Sequence, residues 1–175
     1  MPFPIPASYS RALSRVLSVL LAVVCSTAFS DLRGAEPEQA PVSYPAGYRE
    51  WVHVKSGVLG AEFPAEPERG IHHIYANKAA LAGLESGTFE DGSILVYDLV
   101  SLAEKNGVGT EGARRRIDVM IKNSMRYSSS GGWGFGRFMS DDRERDVLTT
   151  DVRNVCFQCH EKQKAHGLVF SEFRK

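Results

Sequence analysis

Near the C-terminal end of the chain, residues 154–163 read NVCFQCHEKQ, with cysteines at 156 and 159 and a histidine at 160. Two thiols three residues apart and an imidazole directly after the second suit three chemistries. Cys-x-x-Cys-His is the attachment signature of c-type haem, both sulfurs bonding one porphyrin while the histidine takes the iron. Zinc uses the same residue types, and a Cys-x-x-Cys pair alone supports thiol–disulfide exchange. On a helix, positions i, i+3 and i+4 share a face, so Cys156, Cys159 and His160 reach one ligand together.

Context weighs these alternatives. Structural zinc takes four ligands from two separated pairs, and with His160 or His166 as the further ligand no second cysteine pair is present. A thioredoxin-type pair belongs to a βαβ unit, whereas this one ends a β-rich chain. The pattern favours a single covalent haem c, with Cys156 and Cys159 as thioether residues and His160 as the axial iron ligand. Only 15 residues follow His160 and none is methionine. A sixth ligand must therefore come from upstream, where His72, His73, Met120, Met125 and Met139 are the candidates, or the iron keeps an open position.

The elements that must carry this site follow from periodicity. Residues 50–55, 71–76, 93–102, 116–122 and 133–139 alternate with the two-residue period of half-buried strands. In the fourth, Ile117, Val119 and Ile121 share one face and Arg116, Asp118 and Lys122 the other, as in an antiparallel sheet with one side covered. Asn77 is placed to cap a short helix over 78–86 that stops at Gly87. A second helix, capped by Asp151, runs from about Val152 to Ala165 and carries the Cys-x-x-Cys-His stretch. Residues 106–114 and 128–132, rich in glycine, read as hairpin loops. The expected fold is α+β: mainly antiparallel sheet, a short helix after the second strand and a C-terminal haem-binding helix.

Residues 1–30 read as an export signal, with Arg11 and Arg15 before the apolar run 16–28 and a small-x-small cleavage site before Asp31. The run is shorter than the roughly 20 residues a spanning helix needs, so no stable membrane anchor is expected. Val23 and Val24 argue against a lipoprotein site at Cys25. Residues 31–45, rich in proline, alanine and acid, read as a flexible leader before one domain over 46–175. The 21 basic and 21 acidic residues balance, which recommends neither nucleic acid nor an anionic membrane as partner. Cys156 and Cys159, the cysteines left after the signal, cannot form a disulfide framework spanning the fold. A periplasmic or otherwise exported location follows.

Further stretches carry a family resemblance. Tyr48-Arg49-Glu50-Trp51-Val52, Ile74-Tyr75, Gly87-Thr88-Phe89-Glu90-Asp91-Gly92, Leu99-Val100-Ser101, Trp133-Gly134-Phe135, the Cys156 to His160 motif and Val169-Phe170-Ser171-Glu172-Phe173 occur in order. Together they resemble the cytochrome P-460 family, which includes the cytochromes c′-beta. The resemblance implies an antiparallel β fold, usually a homodimer, with one c-type haem, a proximal histidine and an open distal side. Members that oxidise hydroxylamine carry a lysine cross-linked to the haem, and at its place this chain has Tyr97. That departure turns the expectation towards a c′-beta-like protein binding nitric oxide, carbon monoxide or a similar small ligand. The alternatives are an oxidoreductase acting on hydroxylamine or a related nitrogen compound, and an electron-transfer cytochrome serving a periplasmic partner. Tyr97, His72 and Phe89, with Phe63, are the candidates for the distal or haem-packing wall.

Overall fold

The computed structural model describes residues 40–60 and 69–174. The expected export signal with Cys25, most of the expected leader, and Phe63 lie outside the described residues.

Five strands form one antiparallel sheet in sequence order: β1 (Val52–Leu59), β2 (Gly70–Ala76), β3 (Ile94–Lys105), β4 (Val108–Lys122) and β5 (Trp133–Met139). The α+β expectation holds, with helix α1 (Lys78–Ser86) between β2 and β3 and helix α2 (Thr150–His160) after β5. Asn77 caps α1 by accepting the Ala80 N–H at 2.9 Å, and Gly87 ends it in the left-handed conformation. For α2 the cap is Thr149, accepting from Val152 N–H, and not Asp151, which lies inside the first turn. The helix also ends earlier than expected, at His160, and continues as a 3-10 turn over Glu161–His166.

Residues 106–114 correct the sequence expectation more substantially. They are not a loop. Asn106 and Gly107, with φ of 55° and 75°, make a two-residue turn, and both strands run on to it with Lys105 opposite Val108. Positive φ at both central positions belongs to the hairpin turn whose twist matches the strands, which Asn-Gly adopts readily.

Each face of the sheet carries its own core. On one, Val96, Ile117, Val119 and Phe138 pack with Val42, Tyr48 and Tyr127. Val42 is buried and Tyr44 packs edge-on against Phe138 at 5.3 Å. The end of the expected flexible leader is thus part of the domain. Gly134 and Gly136 permit this close packing, since a Cβ on Gly134 would lie 2.4 Å from the Tyr127 ring and one on Gly136 2.7 Å from Val42. The family-like Tyr48-Arg49 pair has a structural role here. The Tyr48 hydroxyl donates to the fully buried Asp98 at 2.5 Å, and Arg49 and Arg114 bond the same carboxylate. Burial, with the neighbouring carboxylate, pushes the Tyr48 phenol up.

The other face meets α1, α2 and the C-terminal segment around Phe89, Leu95, Trp133 and Val169. Helix α2 is fastened by Arg153, whose guanidinium donates to Phe135 O at 3.0 Å, to Leu148 O, and to Asp146. Asp146 also accepts the backbone N–H groups of Val42, Arg137 and Leu148. Both side chains of this ion pair are almost fully buried. Removing one partner of a buried pair strands the other charge, a loss of about 3–5 kcal/mol.

Replacing Arg153 by methionine is therefore expected to lower stability by about 3 kcal/mol in urea unfolding. Arg153→Lys should recover little, because an ammonium lacks the planar fork that meets three acceptors. A second expectation concerns alkaline pH. The folded state holds the Tyr48 proton above the ordinary value of 10.0, so stability is full below that value and declines as pH rises beyond it, where only the unfolded phenol ionises. Tyr48→Phe should reduce this alkaline decline and cost about 1.5 kcal/mol at neutral pH; Tyr75 and Tyr127, raised by burial, leave a residual slope.

Candidate functional site

The strand pairing aligns Lys55, Ile74, Tyr97, Asp118 and Arg137 in one row across all five strands. A second row, two residues along, joins Leu95, Met120 and Phe135. Alternation points every side chain of a row to the same face. Opposite these rows stand α2, through Val155, Cys156, Cys159 and His160, and the segment containing Val169, Phe170 and Ser171. Between them lies a cavity of about 500 Å³, within the roughly 300–1,000 Å³ of cofactor and ligand sites.

Helical geometry brings the three motif residues to one wall, as the spacing requires. Arg153, Cys156, Phe157 and His160 follow the i, i+3, i+4, i+7 rhythm, so the arginine that docks the helix also sets the direction of Cys156 and His160. Cys156 is half-buried and Cys159 exposed, both as free thiols. Burial pushes the Cys156 thiol up, which disfavours the reactive thiolate that redox exchange uses.

His160 is held by the turn that follows it. Gly167 and Leu168 both adopt left-handed conformations, φ 63° and 69°, and this reversal brings Leu168 O to 2.7 Å from His160 Nδ1. A carbonyl only accepts, so Nδ1 carries the proton and Nε2 is left as the basic nitrogen. The left-handed conformation costs a residue such as leucine about 1–2 kcal/mol, and strain of this kind concentrates at functional sites. Burial lowers the imidazole below its ordinary range, as a metal ligand in neutral form requires. Phe135 and Phe170 flank the ring at 5.2 and 4.9 Å.

The distal candidates separate cleanly. His72 and Tyr97 both line the cavity, their rings stacked at 4.8 Å and 15°. His73, its neighbour on β2, faces away, 2.7 Å from Ser56 Oγ and paired with Glu111. Met120 lines the cavity, whereas Met125 and Met139 are solvent-exposed and do not. Phe89 is not among the residues lining the cavity; it packs edge-on to Trp133, against Gly83 and Gly167, in the same core cluster as the lining residues Leu95, Phe135 and Val169.

Lys55, Asp118, Arg137, Phe135 and Phe170 belong to the lining but were not anticipated. Asp118 is neutralised by Arg137 and by Arg116, whose Nε lies 2.8 Å from it, and Arg116 sits 5.7 Å over the Tyr97 ring. The alternation of charged residues 116, 118 and 122 on one face was legible; that this face lines a cavity was not.

The residues fit a haem. Val155 and Phe170 on the cavity wall are left 63% and 47% exposed by the protein alone, apolar area that a flat apolar macrocycle covers. Among the described residues no group of three or more histidine, cysteine or acidic side chains is arranged for a bare metal ion, so the zinc alternative lacks its remaining ligands. No curated protein matches the chain. A model of the family described as cytochrome P460 matches residues 45–171. That match takes in all five strands, both helices and the segment closing the cavity, and the chain belongs to the cytochrome P460 family, which implies a haem cofactor.

Proposed function

We propose that this protein carries one covalent haem c and binds a small diatomic or nitrogen-oxide ligand, nitric oxide or carbon monoxide being representative, at an open iron position. The observation that carries the reading is one cavity with Cys156, Cys159 and His160 on one wall and, on the other, Tyr97 at the place where the resemblance puts the cross-linking lysine, Lys55 lying two strands away. Cys156 and Cys159 anchor the porphyrin edge, and His160 offers Nε2 while Leu168 O holds Nδ1–H and fixes the tautomer. When bound, the haem supplies an iron whose remaining coordination position exchanges small ligands. Ile74, Leu95, Met120 and Val169 keep that space apolar and limit water. Asp118 and Arg137 are paired with each other, and Lys55 lies at the exposed margin of the wall.

The export signal read over residues 1–30 adds a periplasmic or otherwise exported location to the proposal. Membership of the family adds a homodimeric assembly, and an exported electron-transfer partner belongs to the oxidoreductase and electron-transfer alternatives.

Absorption spectroscopy of the purified ferrous protein is expected to show an ordinary high-spin c-type spectrum that changes on adding nitric oxide or carbon monoxide. A strongly red-shifted Soret band would instead reveal a cross-linked haem and restore the hydroxylamine-oxidising alternative. Haem should remain on the polypeptide through a denaturing gel, and be lost when Cys156 and Cys159 are both replaced by alanine. His160→Ala should keep the haem attached but abolish the normal iron spectrum; an unchanged spectrum would remove His160 from the role.

A further inference from the structure

We infer that His72 is the hydrogen-bond donor that sets ligand preference in this site, favouring ligands whose bound atoms carry negative charge over carbon monoxide. The inference deepens the ligand-binding proposal and rests on it.

Three observations converge on this residue. His72 lines the same cavity as His160. Its Nδ1 is shut off from solvent and has no hydrogen-bond partner within the protein, so Nε2 is the ring nitrogen that a ligand in the cavity would meet. Its imidazole is also held from two sides. Tyr97 on β3 stacks on it at 4.8 Å, and on β1 the residue paired with it is Gly57. A Cβ on Gly57 would come within 2.4 Å of His72 Cε1 and 2.8 Å of Nε2. The site thus accommodates this imidazole orientation because position 57 has no side chain.

Stacking on Tyr97 covers one face of the ring and leaves its edge, which carries both a donating N–H and a ligating nitrogen, clear of that contact; the spin state of the iron separates the two roles. The charged groups of the lining are less suited to donating. Asp118 and Arg137 are engaged with each other, and Lys55 lies at the exposed margin. Burial, then the positive charge of Lys55, holds His72 below its usual range, so the neutral ring brings one N–H to the ligand without adding charge. Distal donors and polarity decide how a haem pocket discriminates among ligands. An anionic ligand gains most from a donor, because hydrogen bonds to charged groups are the stronger ones.

The test compares fluoride binding to the ferric protein with carbon monoxide binding to the ferrous protein. His72→Phe preserves a ring on Tyr97 and removes the N–H; it is expected to weaken fluoride about 10- to 100-fold and change carbon monoxide affinity far less. His72→Gln should restore much of the fluoride binding. Gly57→Ala, which displaces the imidazole without altering its chemistry, should weaken fluoride in the same direction. The carbon monoxide stretching frequency should shift upward in His72→Phe and Gly57→Ala.

Equal changes for both ligands, or none, would overturn the inference while leaving the haem proposal intact. So would a low-spin ferrous wild-type protein that becomes high-spin in His72→Phe, since His72 would then be an iron ligand. Failure of the wild-type chain to retain a haem would instead sink the proposed function itself, and this inference with it.

Discussion

A single carboxylate ties the molecule together. Asp146 accepts donors from Val42, Arg137, Leu148 and Arg153, and so joins the N-terminal segment, the last strand, the loop after it and the haem-motif helix. Its side chain and that of Arg153 are almost entirely buried. Neither charge is tolerable there alone, because desolvation of an unpaired ion costs several kcal/mol. Helix α2 consequently has one way to lie on the sheet, and Cys156 and His160, one and two turns beyond Arg153, inherit their positions from that docking.

The two faces of the sheet divide the work. One is filled tightly, with the Asp98 network at its margin and two glycines on β5 letting Tyr127 and Val42 approach the backbone. The other is left open between the strands and α2. On that side Leu168 carries the strain of a left-handed backbone, and the turn it makes directs Leu168 O to His160.

Most of the charge at the cavity wall is paired: Asp118 is held by Arg116 and Arg137, while Lys55 stands at the exposed margin. Tyr97 contributes a flat ring on which His72 rests.

Much of this was legible in the sequence because it depends on local periods. Alternation located all five strands, Asn77 and Gly87 bounded α1, and the i, i+3, i+4 spacing of the motif placed three functional groups on one side of a helix. Opposite orientation of His72 and His73 also follows from alternation alone. What the sequence could not show was register. The row from Lys55 to Arg137 depends on a two-residue turn at Asn106-Gly107 and on irregular pairing in β1 and β3; a slip of one residue would turn every member to the other face. That Phe89 packs on Trp133 behind the cavity lining was likewise not legible, since neighbours in space, not residue type, decide what a ring packs against. By itself the sequence determined the chemistry available, two thiols, an imidazole and a tyrosine where a lysine was expected; tertiary structure alone decided which groups share a cavity, because only long-range pairing and a buried ion pair bring β2, β3 and α2 together.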